Sequence, residues 1–128
     1  MIPAFTQEWC DLWVAAAADL PAQPGVSGRY ETIVRSEDET RRSYTLIIED
    51  GVIVGAHPGG DGANVHREVP DAAHRDWLAG VRGVMQRATL SGQVRFTGDP
   101  DVADALAPYL RSDASRAVRQ AVLAQTAF

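Results

Sequence analysis

Hydrophobic residues near the start of the chain recur with the spacing of an amphipathic helix. Between Thr6 and Leu20 the large apolar side chains fall on one stripe, formed by Phe5, Trp9, Leu12, Trp13, Ala16 and Leu20. Thr6 is a suitable N-cap, and Pro21 and Pro24 end the helix. The stripe predicts packing against a sheet, and one wall of a site for an apolar ligand is the alternative.

The following segment alternates between apolar and polar residues, which is the pattern of strands with one buried face. Three alternating runs predict three strands, at 26–35, 43–49 and 52–56. The polar run 36–40 and the dipeptide Asp50-Gly51 join them as tight turns, so we expect an antiparallel arrangement. A glycine-rich loop at 57–64 follows, and residues 64–69 predict a fourth strand that Pro70 ends.

The region after the fourth strand predicts a helix over 76–84, a turn, a fifth strand and another helix. Asp71 is the expected N-cap on the approach to the first of these helices, whose apolar stripe is formed by Trp77, Leu78, Val81 and Val84. Gly92 interrupts the helical spacing, and the residues after it alternate as in a strand. Asp99 and Asp101 are candidate N-caps of the helix that carries Val102, Leu106 and Leu110.

The last segment predicts an amphipathic helix at the end of the chain. Ser112 is its candidate N-cap, and a helix over 112–128 places four apolar residues on one side: Ala114, Val118, Ala121 and Val122. The terminal position leaves two interpretations open, which are simple packing on the surface and a lid over a cavity.

The order of these elements, together with one motif, resembles the sterol carrier protein 2 (SCP2) family of lipid-binding domains. An apolar helix and a short Met/Gln/Ala segment precede the motif, which is followed by a helix with a late leucine. The residues that fit the family's pattern of glycines, apolar residues and a final aspartate are Gly92, Val94, Phe96, Gly98 and Asp99. The resemblance implies an α+β fold, with a five-stranded mixed or antiparallel sheet covered on one face by helices.

The same resemblance implies that the chain binds an apolar small molecule, such as a sterol or a fatty acid, in a hydrophobic tunnel between sheet and helices. The implied walls are Trp77, Val81, Val84, Met85, Phe96, Leu106 and Leu110, and the implied lid residues are Val118 and Val122. Met85 suits a site of adaptable shape. The chain has no lysine, which argues against recognition of acyl-CoA phosphates.

Length and charge narrow the choice of function. A chain of 128 residues is expected to form one domain, 1–128, with a substantial core. The net charge is −5 and the twelve basic residues are all arginines without a basic run, which argues against nucleic acid and anionic membranes as partners. The arginine- and alanine-rich composition is typical of a GC-rich bacterial genome. Acidic residues interrupt the apolar positions near the N-terminus, so we expect no signal peptide, no stable membrane insertion and a cytoplasmic protein.

Candidate catalytic or metal-binding chemistry is sparse. His57, His66 and His74 do not have a recognised ligand spacing, and no nucleophile motif occurs. Cys10 is the only cysteine, which excludes an internal disulfide. We therefore expect no metal, no cofactor and no catalytic residue.

The leading hypothesis is a non-enzymatic carrier of a lipid, sterol, fatty-acyl or similar ligand. One alternative is a biosynthetic-pathway enzyme or accessory protein that uses the same cavity on an apolar intermediate. The other alternative is an interaction module with a filled core, with a homodimer through exposed Trp9 or Trp13 as its form.

Overall fold

The computed structural model describes residues 1–128 and contains five helices and seven strands. In chain order these are β1 (Ile2–Pro3), α1 (Gln7–Ala16), β2 (Gly28–Arg35), β3 (Arg41–Glu49), β4 (Val52–Pro58), β5 (Val65–Pro70), α2 (Asp71–Leu78), α3 (Val84–Leu90), β6 (Arg95–Gly98), α4 (Pro100–Leu110), α5 (Asp113–Leu123) and β7 (Thr126–Ala127). Strands β2 to β6 form one sheet, and β1 pairs with β7 separately. The arrangement confirms the expected α+β class.

The five-stranded sheet has the order β4-β3-β2-β5-β6 and is mixed. Strands β2, β3 and β4 pair antiparallel, as the tight turns predict, whereas β5 lies parallel to β2 and antiparallel to β6. The turn between β3 and β4 has φ angles of 49° at Asp50 and 78° at Gly51, which an Asp-Gly hairpin adopts readily. The segment 59–64 then carries the chain from the β4 edge across to β5, on the other side of β2.

Helices α1 and α2 cover the same face of the sheet. Trp9 and Trp13 of α1 pack against Tyr44 of β3, with ring centroids 4.8 and 5.5 Å apart. Trp77 of α2 lies against Arg67 of β5, which occupies the same cross-strand row as Tyr44. Trp9 and Trp13 are therefore buried, and the expectation that one of them is exposed for a homodimer contact is wrong.

Helix α4 approaches the same face at Gly28 of β2. A Cβ atom at this position would lie 2.8 Å from Cδ1 of Leu106, which is closer than carbon atoms pack, so α4 would have to shift if residue 28 had a side chain. Leu106 and Tyr109 are buried as a result. The predicted N-cap of α4 is confirmed, because Asp99 Oδ1 accepts a hydrogen bond of 2.9 Å from the backbone N–H of Asp101.

The helix predicted over 76–84 is divided in two. Helix α2 ends at Leu78 and α3 begins at Val84, and between them Gly80 and Gly83 have φ angles of 82° and 76°. This left-handed conformation cannot continue an α-helix, so the prediction of one continuous helix is wrong. The cap prediction is also wrong, because Pro70 occupies the cap position and Asp71 is the first helical residue.

The end of the chain is paired with its beginning. Helix α5 starts at the predicted N-cap Ser112 but ends at Leu123, so the expected helix over 112–128 is too long. The next residues form β7, which pairs with β1 in parallel, and Trp9 Nε1 donates a 2.8 Å hydrogen bond to Thr126 Oγ1. No helix in the chain is long and apolar enough to cross a membrane.

Candidate functional site

A cavity of about 620 Å³ lies on the helix-covered face of the sheet. Residues from β2, β5 and β6 form its floor, and α2, α3, α4 and α5 with the α2–α3 connection form its sides. Six residues implied by the sequence resemblance line it: Trp77, Val81, Val84, Met85, Phe96 and Leu110. The structure therefore brings these six together around one space, and their role in ligand binding stays a prediction.

The other three implied residues, Leu106, Val118 and Val122, lie elsewhere. Leu106 is buried under α4 against Gly28, and the two valines belong to the hydrophobic core rather than to the cavity wall. Helix α5 packs against α1 and α2 with this apolar side. Its contribution to the cavity comes instead from Arg116 and Arg119, on the side that the sequence pattern marks as polar.

The cavity runs from an exposed mouth to a buried end. At the mouth, the side chains of Leu90, Phe96 and Val81 are exposed to 89%, 52% and 44%. At the other end, Tyr30 and Trp77 are buried. Exposed apolar residues around an opening are a feature of surfaces that receive an apolar ligand or partner.

The buried end is polar because of Arg67, which lies in a row of residues that crosses the sheet from the core to Phe96 at the mouth. Direct cross-strand neighbours in this row are Tyr44 of β3, Thr32 of β2, Arg67 of β5 and Phe96 of β6. Since residues in register share a face, Arg67 points to the helix-covered side, and only 4% of its surface is exposed. An arginine at an interior row position is uncommon and requires an explanation.

The Arg67 side chain forms no hydrogen bond and no ion pair with the rest of the protein. Its Nε and Nη2 atoms are buried without a hydrogen-bond partner, and no carboxylate forms an ion pair with it. The guanidinium carbon lies 4.4 Å from the centroid of the Trp77 ring and 5.3 Å from that of Tyr30. These cation–π contacts offset part of the cost of burying the charge, but they leave the donors unused.

Arg119 is a second buried arginine at the same end, and its Nε and Nη1 atoms donate hydrogen bonds to the protein. Its Nε donates to the carbonyl of Trp77 at 3.0 Å, and its Nη1 donates to the Leu110 carbonyl at 3.0 Å and to Ser115 Oγ at 2.9 Å. It thereby joins the ends of α2 and α4 to α5. Burial, with the charge of Arg67 as the next cause, lowers the pKa of Arg119 to about 10, so it remains protonated at neutral pH.

The remaining buried polar groups near this end are neutral. The Tyr44 hydroxyl and His74 Nε2 are 2.9 Å apart. Burial, followed by the positive charges of Arg67 and Arg75, lowers the pKa of His74 to about 3. Burial also raises the pKa of Tyr44, and that of Tyr30, whose hydroxyl has no protein partner.

The lining residues determine what chemistry the cavity permits. Its charged members are five arginines, and it contains no aspartate, glutamate, histidine, cysteine or serine. Tyr30 and Thr89 bring hydroxyl groups to the wall, and positive charge and apolar surface are abundant. Elsewhere, no group of three His, Cys, Asp or Glu side chains is placed to hold a metal ion.

Arg67 and Arg119 are the residues that sequence reasoning missed. For Arg67 a signal exists, because it alternates in β5 with the buried residues Val65 and Val69 and therefore shares their face. For Arg119 the signal is weaker, since it follows Val118 directly at the edge of the apolar stripe of α5.

The fold and the cavity together define a small α+β domain with an apolar, arginine-containing cavity between its sheet and its helices. The sequence matches no protein-family profile, and no curated protein is significantly similar to it. A crystal structure of sterol carrier protein 2 aligns with a TM-score of 0.66 and 19% identity, over 93% of this chain and 96% of that chain.

Two further solved structures have a similar fold. A Thermus thermophilus protein described as possibly a sterol carrier protein aligns with a TM-score of 0.59 and 18% identity, over 92% of this chain and 86% of its own. The palmitated sterol carrier protein 2-like 2 of Aedes aegypti gives 0.55 and 18%, over 80% and 89%. The chain therefore has the sterol carrier protein 2 fold, and the resemblance seen in its sequence is confirmed at that level.

Proposed function

We propose that the protein binds an apolar small molecule in the cavity and carries it without chemical change. The observation that carries this proposal is a space of about 620 Å³ that is mostly apolar and has no acidic, histidine or thiol side chain in its wall. The volume falls in the range of roughly 300–1,000 Å³ that is usual for small-molecule sites. The sterol carrier protein 2 fold, and the palmitate carried by the Aedes aegypti structure, support a lipid as the ligand.

The energetics favour a ligand with a long apolar part. Each methylene group removed from water contributes about 0.8 kcal/mol, so about ten buried methylenes contribute roughly 8 kcal/mol. Association costs an estimated 4–15 kcal/mol in lost translational and rotational freedom, which shorter chains do not repay. The exposed apolar residues Leu90, Val81 and Phe96 at the mouth would be covered when such a chain is bound.

The test is a titration of delipidated protein with an apolar fluorescent dye, followed by displacement with lipids. Met85 lines the cavity and is partly buried, so Met85→Trp should narrow the space and weaken saturable dye binding. Val54→Trp is the matched control, because Val54 is exposed on β4, outside the cavity, and its replacement should leave binding unchanged. Melting curves of both variants establish that each is folded.

Absence of dye, sterol and fatty-acid binding to the wild-type protein would overturn the proposal. Equal binding by wild type and Met85→Trp would also overturn it, since the dye would then bind somewhere else. In either case the interaction module would be the better account.

A further inference from the structure

The buried end of the cavity holds an arginine whose donors face no protein acceptor. We propose that Arg67 binds the carboxylate of the ligand, so that the molecule carried is a long-chain carboxylic acid held with its acid group innermost. This proposal rests on the proposed function, because it specifies the chemistry of a ligand in the same cavity. It makes Arg67 the residue that distinguishes an acid from a neutral lipid of equal length.

The first argument is the cost of the present arrangement. A charged group that is 96% buried is expensive unless it is paired, and the sheet register gives Arg67 only uncharged neighbours, Thr32 and Phe96. The contacts with Trp77 and Tyr30 stabilise a cation without using its N–H groups. A bound ligand with a negative charge would supply the partner that Arg67 lacks within the protein.

The second argument is the identity of the free atoms. The Nε and Nη2 atoms form one edge of the planar guanidinium group, and both lack a hydrogen-bond partner. Each has less than 1 Å² of accessible surface, so a ligand reaches this edge only when the neighbouring side chains move. Two parallel N–H groups on one edge match the two oxygens of a carboxylate, which they bind in a bidentate manner. An alcohol or an ester offers no such pair of charged acceptors.

The third argument is the surrounding charge. Arg119 contributes a second buried positive charge at the same end, and no carboxylate lines the cavity to compete with a ligand. Its Nε and Nη1 donate to Trp77, Leu110 and Ser115, so Arg119 adds to the field while Arg67 supplies the free edge. The nearby side chains Tyr44 and His74 are uncharged and do not neutralise this field.

The test compares ligands that differ only in the head group. Hexadecanoic acid, hexadecan-1-ol and hexadecyl phosphate are titrated by dye displacement against wild type and Arg67→Met. Wild type should bind the acid more tightly than the alcohol, and Arg67→Met should weaken acid binding by roughly ten- to a hundredfold while leaving alcohol binding unchanged. Arg41→Met is the matched control, because it removes one positive charge from a side chain that pairs with Glu68 outside the cavity.

Arg67→Lys is a second variant, which keeps the charge but lacks the planar edge, and it should lose most of the preference for the acid. It also serves if Arg67→Met does not fold. Equal affinity of wild type for acid and alcohol would overturn this inference while leaving the proposed function intact. If both Arg67 variants lost affinity for the acid and the alcohol equally, Arg67 would only shape the cavity wall, and the inference would be wrong. Tighter binding of hexadecyl phosphate than of hexadecanoic acid would show that the site does not select a carboxylate. Binding of none of the three ligands would overturn the proposed function itself.

Discussion

Replacement by methionine should lower the stability of the protein at Arg119 but not at Arg67, although both arginines are buried. Arg119→Met removes three hydrogen bonds, of 2.9–3.0 Å, and leaves the carbonyls of Trp77 and Leu110 without their side-chain donor. At about 1 kcal/mol for each hydrogen bond, partly offset by the removal of a buried charge, we expect a loss of about 2–3 kcal/mol in the free energy of unfolding. For a chain of 128 residues this corresponds to a fall in Tm of roughly 10 °C.

Arg67→Met removes no hydrogen bond to protein and eliminates an unpaired buried charge. Its cation–π contacts with Trp77 and Tyr30 contribute about 1–2 kcal/mol each at most, whereas the desolvation cost of an unpaired ion is several kcal/mol. The Tm of ligand-free Arg67→Met should therefore equal or exceed that of wild type.

The assay is thermal unfolding of delipidated protein at pH 7, followed by circular dichroism and checked by urea titration at 25 °C. Methionine is chosen because it fills a similar volume without a charge, so packing changes are small in both variants. Similar falls in Tm for the two variants would refute the reasoning, because they would show that Arg67 stabilises the fold as Arg119 does.

Three other predictions concern the core. The pKa of His74 is lowered from 6.5 to about 3, so below pH 6.5 the unfolded chain binds a proton that the folded protein does not. The free energy of unfolding should therefore fall as the pH drops, by about 3 kcal/mol at pH 4. Urea titrations at several pH values should show a smaller dependence of this free energy on pH for His74→Phe. Burial raises the pKa of Cys10 to about 11, so a thiol reagent at pH 8 should modify Cys10 only after unfolding; rapid labelling of native protein would contradict its burial. Gly28→Ala should lower the free energy of unfolding, measured by urea titration, by about 1–3 kcal/mol, because the new methyl group overlaps Val102 and Leu106; an unchanged value would show that α4 can move away.

The hairpins of the sheet and the starts of helices α1, α4 and α5 were predictable because they depend on local sequence, whereas α1 ends at Ala16, earlier than the predicted Leu20. Alternation in β3 and β4 and the Asp50-Gly51 turn between them specify a hairpin before any tertiary contact exists. Thr6 and Ser112 likewise cap their helices through side-chain hydrogen bonds that span three residues. The sterol carrier protein 2 motif added the order in which these local elements assemble.

The composition of the cavity wall was less predictable, because periodicity identifies a buried face without identifying what it faces. Val118 and Leu106 lie on correctly predicted apolar stripes, yet they contact the core rather than the cavity. Gly80 and Gly83 redirect the chain between α2 and α3 through left-handed conformations that apolar spacing does not report. Arg67 escaped notice because a charged residue in an alternating strand is normally assigned to the exposed side.

The strand order divides the sheet into halves that differ in how they form and open. Strands β2, β3 and β4 pair with their neighbours in sequence, so their contacts close short loops and form early. Strand β6 reaches β5 only after α2 and α3, has four residues, all exposed, and pairs on one edge alone. Its amides should exchange with solvent long before those of β3, because little has to unfold to release them. The edge of the sheet that carries Phe96 should thus open at a lower free energy than the β2–β3–β4 half, which would give the proposed ligand a way in or out while that half stays folded.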